Sequence, residues 1–188
     1  MKWVVQLPLW AAFNALAYLL APLLPLFATE RMGACDNNHA QRIEPRLPEW
    51  LAWFDTPDNS LLGDFNFHVH HVEETYWQKV LWLWRNPACG FEASVLAAAI
   101  APSDALEVDG DPQVQDGPAG REGWCLVLLG GYWNLVAVRR LSFGTGSERC
   151  IKLDLGWQLA TYAQDPARIA TQPAARYAMS IRFPLFKQ

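Results

Sequence analysis

The stretch Trp3-Val-Val-Gln-Leu-Pro-Leu-Trp-Ala-Ala-Phe-Asn-Ala-Leu-Ala-Tyr-Leu-Leu-Ala21 decides the fold of this chain, because 19 consecutive positions carry no charged residue. As an α-helix this stretch is about 28 Å long, close to the thickness of a bilayer's hydrocarbon core. Pro22 and Pro25 follow it. Each proline lacks the N–H that a helix needs, so we expect the helix to end there.

We expect this segment to be a retained transmembrane helix, and two alternatives stay open. One is a cleaved secretory signal with Lys2 as its basic start, although the apolar run exceeds the usual length of about 7–15 residues. The other is a buried core helix of a soluble domain, but such helices usually carry a polar stripe. Lys2 lies before the segment, and Arg31, Arg42 and Arg46 follow it. The positive-inside rule therefore favours a body on the cytoplasmic side.

The composition agrees with a position at a membrane. Of the 188 residues, 52% are hydrophobic and 18% are charged, and ten are tryptophan. An average soluble domain has about 25% charged residues. The net charge of −4 excludes nucleic-acid binding through an overall positive field, so no nucleic-acid partner is expected.

The rest of the chain predicts an α+β fold: the N-terminal transmembrane helix, short amphipathic helices and a small C-terminal antiparallel β-meander. The predicted divisions are an anchor at 1–32, a linker at 33–46 and one membrane-associated domain at 47–188. Helical spacing predicts helices at 47–54 and 76–84, and the apolar stretch 90–101 suggests a second, shallow membrane contact or a buried helix. Strand-like runs follow at 124–129, 132–141, 149–159 and 177–183.

Two local signals support the meander. Gly130-Gly131 separates the first two runs, as in a tight hairpin. In the third run, Cys150, Lys152, Asp154 and Gly156 alternate with apolar residues, which indicates a strand with one polar and one apolar face; the apolar set is Ile151, Leu153, Leu155 and Trp157.

Three segments carry a resemblance: Leu47-Pro-Glu-Trp-Leu-Ala-Trp-Phe-Asp-Thr-Pro-Asp-Asn-Ser-Leu-Leu-Gly-Asp64, Trp82-Leu-Trp-Arg-Asn-Pro-Ala-Cys-Gly-Phe91 and Leu155-Gly-Trp-Gln-Leu159. Together they resemble a family of uncharacterised proteins encoded by tailed bacteriophages and prophages. The chain departs from that family at Asp55, Leu62 and Cys89, where many members have Gln, Asp and Tyr. The resemblance implies a phage origin and, with the apolar segment, the host inner membrane, but it implies no activity.

One polar cluster is a candidate for chemistry, formed by Asp55, Asp58, Asn59, Asp64, His68 and His70, with His71 beside it. Carboxylates and imidazoles can hold a divalent metal, and either can act as a general base. The aspartate spacing does not fit an EF-hand loop. Asp55 and Asp58 can equally stabilise turns through backbone N–H groups. We favour turn architecture and keep metal binding and catalysis as hypotheses; the metal ligands are unknown, and no catalytic residue or cofactor is assigned.

A second group of residues points to the membrane. Arg85 ends a Trp-rich helix and is also a candidate member of the polar cluster, because it can pair with a carboxylate of the Asp55–Asp64 loop. It can instead bind a lipid phosphate, or be a C-terminal cation that the helix dipole favours. Trp3, Trp10, Trp77, Trp82 and Trp84 are candidate interface residues. The last three occupy more than one helix face, so core packing and an interfacial belt both stay open.

The four cysteines include no C-x-x-C pair, which excludes zinc-ribbon and thioredoxin motifs. We expect buried thiols, with a Cys125–Cys150 disulfide as the alternative. The predicted function is a phage-encoded, membrane-anchored accessory protein that acts by binding or scaffolding at the host envelope, with the bilayer and a membrane or phage protein as partners. The alternatives are a metal-assisted hydrolase using residues 55–71 and a virion structural component.

Overall fold

The computed structural model of this chain describes residues 2–32, 43–57, 59–63, 67, 75–116, 120–142, 147–182 and 185–187. It divides into two compact units, Met1–Leu96 (unit 1) and Ala97–Gln188 (unit 2). The predicted α+β class is confirmed: an apolar helix begins the chain, a few short helices follow, and antiparallel strands fill the C-terminal part. The predicted boundaries of anchor, linker and body stay a prediction.

Unit 1 is mostly helical. Its elements are helix α1 (Lys2–Leu20), a first 3-10 helix (Leu24–Phe27), strands β1 (Thr29–Met32) and β2 (Ile43–Arg46), a second 3-10 helix (Glu49–Phe54), and helices α2 (Tyr76–Arg85) and α3 (Cys89–Ser94). Strands β1 and β2 pair antiparallel, from Thr29 opposite Arg46 to Met32 opposite Ile43. The final residues of the predicted linker are therefore a strand.

The ends of these helices follow local chemistry. Helix α1 stops at Leu20, just before Pro22, as predicted. Thr75 starts α2 with a capping box: its hydroxyl accepts from the N–H of Gln78, and the Gln78 side chain accepts from the N–H of Thr75. Helix α2 ends at Arg85, just before Asn86, as the Asn-Pro sequence predicts.

The helix predicted at 47–54 is a 3-10 helix rather than an α-helix. A 3-10 helix has about three residues per turn, so side chains three positions apart share a face. Leu51 and Phe54 are buried on one face, and Trp50 and Trp53 are exposed on another. Within the predicted stretch 90–101, the structure has α3 and a short strand, Ala98–Ala99.

Unit 2 is built on one antiparallel sheet. Its elements are β3 (Ala98–Ala99), β4 (Leu106–Gly110), β5 (Gly123–Leu129), β6 (Tyr132–Ser142), β7 (Ser147–Trp157), α4 (Ala160–Gln164), α5 (Arg168–Thr171), β8 (Ala174–Ala175), β9 (Tyr177–Arg182) and β10 (Leu185–Lys187). The six-stranded sheet has the order β10-β7-β6-β5-β4, and β9 also pairs with β7. Strands β3 and β8 form a separate pair.

The predicted hairpin between β5 and β6 is confirmed. Leu129 lies opposite Tyr132, so the loop contains only Gly130 and Gly131. Both glycines have positive φ, 60° and 77°. Two positive φ angles in a two-residue loop match the twist of the flanking strands, and glycine adopts them without steric cost.

The alternation along β7 separates two faces, and the face that carries its polar residues is covered by a buried core; Trp157 of the apolar set, at the end of the strand, is buried as well. Registers place Cys150, Lys152 and Asp154 on the same face as Val136 and Val138 of β6. Val114, Val136, Val138 and Cys150 form a buried core there, with Ala160 of α4 packed against it. The valines of β6 therefore decide which face is covered. On the opposite face, Trp124 is 48% exposed.

The polar residues on the covered face are paired. The ammonium group of Lys152 lies 2.6 Å from Asp116. The fully buried Asn134 donates to Asp154 at 2.8 Å and to the carbonyl of Leu155 at 3.1 Å. Its carbonyl oxygen accepts from the N–H groups of Leu159 and Ala160, at 3.0 and 2.9 Å. Asn134 thereby ties the start of α4 to the sheet.

This arrangement predicts a large effect for Asn134→Leu. Leucine has a similar size but removes the acceptor of the Ala160 N–H, while the N–H of Leu159 keeps a second acceptor, the Trp157 carbonyl at 2.6 Å. The loss costs about 1–3 kcal/mol of unfolding free energy. Chemical denaturation of the full chain in detergent micelles measures the change. Gln113→Leu, at an exposed glutamine, is the matched control and should change the value by less than about 0.5 kcal/mol. Equal stability of the two variants would refute the role given to Asn134.

Candidate membrane-binding surface

The predicted polar cluster is only partly within the described residues. Asp58, Asp64, His68 and His70 lie outside them. The carbonyl oxygen of Asp55 accepts from the N–H of Gly90 at 3.0 Å. Asn59 has a positive φ of 54°, and its N–H bonds to the carbonyl of Thr56 at 3.0 Å, as in a turn.

The loop around these residues is closed by its own hydrogen bonds. The hydroxyl of Thr56 donates to the carbonyl of Ser60 at 2.9 Å, and the N–H of Leu61 donates to the carbonyl of Pro45 at 2.9 Å. Both Thr56 and Ser60 are buried. In the part of the chain that the structure describes, no three His, Cys, Asp or Glu side chains are grouped to hold a metal. The metal and hydrolase hypotheses stay predictions.

Helix α1 has two distinct faces. After the exposed Lys2 at its start, its exposed positions are Val4, Val5, Pro8, Leu9, Ala11, Ala12, Ala15, Leu16, Tyr18 and Leu19, and these ten we call the outward face. Its partly or fully buried positions recur every three to four residues and are Trp3, Gln6, Leu7, Trp10, Phe13, Asn14, Ala17 and Leu20. This period is that of an α-helix with one side packed on protein. Only Asn14 and Ala17 are buried, so α1 is not enclosed like the core helix of a soluble domain, which was one of the two alternatives for this segment.

Apart from Lys2 at its start and the Tyr18 hydroxyl, the polar side chains of α1 lie on its packed side. Asn14 is 6% exposed, and its amide donates to the carbonyl of Trp10 at 2.9 Å. The indole N–H of Trp10 donates to the carboxylate of Glu92 on α3 at 2.7 Å. The outward face has no polar group except the Tyr18 hydroxyl. A helix at the surface of a water-soluble domain has the opposite distribution.

Stacked aromatic rings hold the middle of α1 against unit 1. The ring of Phe13 stacks on Phe91 of α3, with 4.0 Å between centroids, and on Phe54 of the second 3-10 helix, at 5.0 Å. The edge of Trp53 meets Phe13 at 5.7 Å. Gly90 lets these elements approach, because a Cβ atom there would lie 1.9 Å from the carbonyl oxygen of Ala52.

Aromatic donors from α2 complete the C-terminal end of α1. In a continuing helix the carbonyl of Tyr18 would accept from residue 22, but Pro22 has no N–H. The indole N–H of Trp84 takes that place, 3.0 Å from the Tyr18 oxygen. The hydroxyl of Tyr76 donates to the carbonyl of Pro22. Pro22 therefore ends the helix and also leaves the Tyr18 carbonyl free to accept a hydrogen bond from Trp84 of α2.

Unit 1 has further exposed aromatic side chains beside those of this junction. On α2, Trp77 is 62% exposed, and Leu81 and Trp84 are also exposed. Trp50 is 70% exposed and meets the ring of Phe27 edge-on at 5.5 Å. We call the outward face of α1 together with these side chains the apolar surface of unit 1; its further members are Leu23, Leu26, Phe27, Trp50, Trp53, Tyr76, Trp77, Leu81 and Trp84.

The five predicted interface tryptophans are therefore divided. Trp77 and Trp84 belong to the apolar surface, and Trp3 and Trp10 are partly buried on the packed side of α1. Trp82 is only 3% exposed and lies against Phe67, with 4.9 Å between rings, so it is a core residue. Arg85 is exposed, and its guanidinium lies 5.5 Å from the ring centre of Trp82.

The sequence did not predict Trp50 and Trp53 as interface residues or Glu92 as a partner of α1. Trp50 and Trp53 are three positions apart, which is the period of a 3-10 helix. Because residues 47–54 were interpreted as an α-helix, this spacing did not place the two side chains on one face. Glu92 lies 82 positions from Trp10, and no local pattern indicates that contact.

Cys89, Cys125 and Cys150 are buried, and Cys35 lies outside the described residues. Cys125 and Cys150 are thiols on the two strands that flank β6, so the Cys125–Cys150 disulfide is not formed. Burial raises the pKa of both thiols, and nearby aspartates add to the rise. A raised pKa lowers the fraction of nucleophilic thiolate at neutral pH, which fits buried core thiols.

Helix α1 is long enough and apolar enough to cross a membrane, by length and composition. No curated protein matches the chain, and no solved structure matches it. The model of a family of unknown function, DUF7338, matches residues 1–188. The chain therefore belongs to this family of unknown function.

Proposed function

We propose that this protein is a phage-encoded accessory protein that attaches to the inner membrane of the host through the apolar surface of unit 1 and acts there by binding or scaffolding. The observation that carries the proposal is the polarity of α1. Gln6 and Asn14 lie on its packed side, and beyond Lys2 at its start the outward face is apolar except for the Tyr18 hydroxyl. Such a face is stable against hydrocarbon and costly in water.

The exposed area supports stable attachment. Val4, Val5, Leu9 and Leu19 are each more than half exposed, as is Leu23 just after the helix. Transfer of each such side chain into hydrocarbon contributes about 1–2 kcal/mol. Together they contribute about 5–10 kcal/mol, which matches or exceeds the affinity of about 5.5 kcal/mol that a single acyl chain has for a membrane.

The charge of the two helices also supports attachment to a lipid membrane. Helices α1 and α2 carry the cations Lys2, Lys79 and Arg85 and no acidic residue. Basic side chains beside an apolar surface are attracted to anionic lipid headgroups, by about 1 kcal/mol each. The arginines after α1 favour a body on the cytoplasmic side of the host inner membrane, where such lipids face the protein. A single-pass crossing, as the sequence predicts, and a position along the membrane surface would both give this attachment.

The first prediction concerns the outward face. Val5→Asp combined with Leu19→Asp changes its two most exposed apolar side chains, 75% and 76% exposed. Because neither side chain is buried, we expect an unchanged circular dichroism spectrum and a loss of vesicle binding of at least about 100-fold. Flotation of the full chain with phosphatidylcholine–phosphatidylglycerol vesicles measures the binding.

Ile181→Asp is the control, since Ile181 is 58% exposed in unit 2. It should float with the vesicles like the unchanged chain. Full binding by the double variant, or equal loss by the control, would contradict attachment through α1.

The second prediction concerns the cations of α2. Lys79→Gln with Arg85→Gln should remove most of the preference for vesicles that contain phosphatidylglycerol, about 10-fold or more in affinity, and should leave binding to pure phosphatidylcholine nearly unchanged. Arg121→Gln with Arg139→Gln changes the net charge equally at two exposed positions in unit 2. If both pairs had the same effect, overall charge rather than this surface would explain the preference.

A further inference from the structure

We infer that α1 lies along one leaflet, in the plane of the membrane surface, with unit 1 packed on its other side. This inference rests on the proposed membrane attachment and replaces the crossing that the sequence predicts. Lys2 and the body of unit 1 are then on the same side of the bilayer.

The first argument is that unit 1 flanks α1 along most of its length. Contacts occur at Trp10 with Glu92, at Phe13 with Phe54 and Phe91, and at Tyr18 with Trp84. The hydroxyl of Tyr76 then reaches Pro22. From Trp10 to Leu20, where the helix ends, its axis rises about 15 Å. If α1 crossed the bilayer, the elements that make these contacts would enter the hydrocarbon with it.

The second argument is that those elements do not suit hydrocarbon. Helix α3 has six residues and the second 3-10 helix also has six. In elements this short, most backbone N–H or C=O groups lack a partner within the helix and need water or protein. The Glu92 carboxylate binds Trp10, close to the middle of α1, and Asp55 directly follows Phe54. A crossing would carry these two acidic residues towards the centre of the bilayer, where charges are unfavourable.

The third argument is the placement of the aromatic side chains. Trp and Tyr prefer the boundary between hydrocarbon and headgroups, so those of a crossing helix collect at its two ends. Here Trp10 and the half-exposed Trp53 flank the middle of α1, and Trp84 lies at its C-terminal end. Aromatic residues along the whole length of a helix fit a helix that stays at one depth.

The resulting surface has the two properties of an interfacial helix. One side is apolar and enters the acyl region to a depth of about 5–10 Å, and the other side is polar. In this protein the body of unit 1 takes the place of the polar side. Lys2, Lys79 and Arg85 supply charge complementary to anionic headgroups at the edges of the surface.

Spin labels along the outward face test the orientation. Single cysteines at Val5, Leu9, Ala12, Leu16 and Leu19 carry the label in a full-length chain whose four natural cysteines are replaced by alanine. If that chain does not fold, only Cys35 is replaced, because Cys89, Cys125 and Cys150 are buried. Collision rates with oxygen and a nickel chelate give the depth of each label in phosphatidylcholine–phosphatidylglycerol vesicles. A label at the exposed Thr171 in unit 2 is the reference.

We expect the five labels to share one depth within about 3 Å, in the outer part of one leaflet. A crossing helix would instead give a depth that increases from Val5 to Ala12 by about 10 Å and decreases again towards Leu19. That profile would overturn the in-plane orientation and keep the proposed attachment. Five labels with the water accessibility of the Thr171 label would overturn the attachment itself.

Discussion

The outward face of α1 constrains the rest of unit 1, because ten positions at helical spacing offer water almost nothing to hydrogen-bond. Such a face must meet hydrocarbon or protein, and in this structure it stays exposed. On the other side of the same helix, the side chains of Asn14 and Trp10 donate to acceptors within unit 1. This division of one helix into a packed side with hydrogen-bonded side chains and an apolar, exposed side is the basis for the proposed attachment to a membrane.

Proline chemistry connects the helix to its supports. Pro22 ends α1 and leaves the Tyr18 carbonyl without a backbone donor, and Trp84 supplies one. The same indole belongs to the exposed aromatic set of α2, so one side chain both fixes the packing of the two helices and extends the apolar surface. Gly90 of α3 also supports the packing of unit 1. Because it has no side chain, α3 can approach the second 3-10 helix, and both elements pack against the middle of α1.

Local signals in the sequence predict much of this fold. Three of these signals act on the local backbone: the prolines after Ala21, the Asn86-Pro87 pair and the Gly130-Gly131 hairpin. The ends of α1 and α2 and the turn between β5 and β6 lie where these signals predict them. The alternation in β7 separates two faces correctly, but burial of a face depends on neighbouring strands. The valines of β6 decide which face of β7 is covered. Its polar residues are accommodated there because Lys152 pairs with Asp116 and Asp154 accepts from Asn134.

The candidate surface is harder to predict from the sequence, because it depends on contacts between residues that are far apart in the chain. Helix spacing cannot indicate that Glu92 accepts from Trp10, or that Phe13 lies between Phe54 and Phe91. The Asp/His cluster stays a prediction, since most of its residues lie outside the described part of the chain.

The most direct test of the account is fractionation of cells that produce the full-length chain, followed by a sodium carbonate wash of the membranes. The wash removes proteins held by charge alone and leaves those whose apolar side chains are in the bilayer. The account predicts that the chain stays in the washed membrane pellet. Release of most of the chain into the soluble fraction would contradict it.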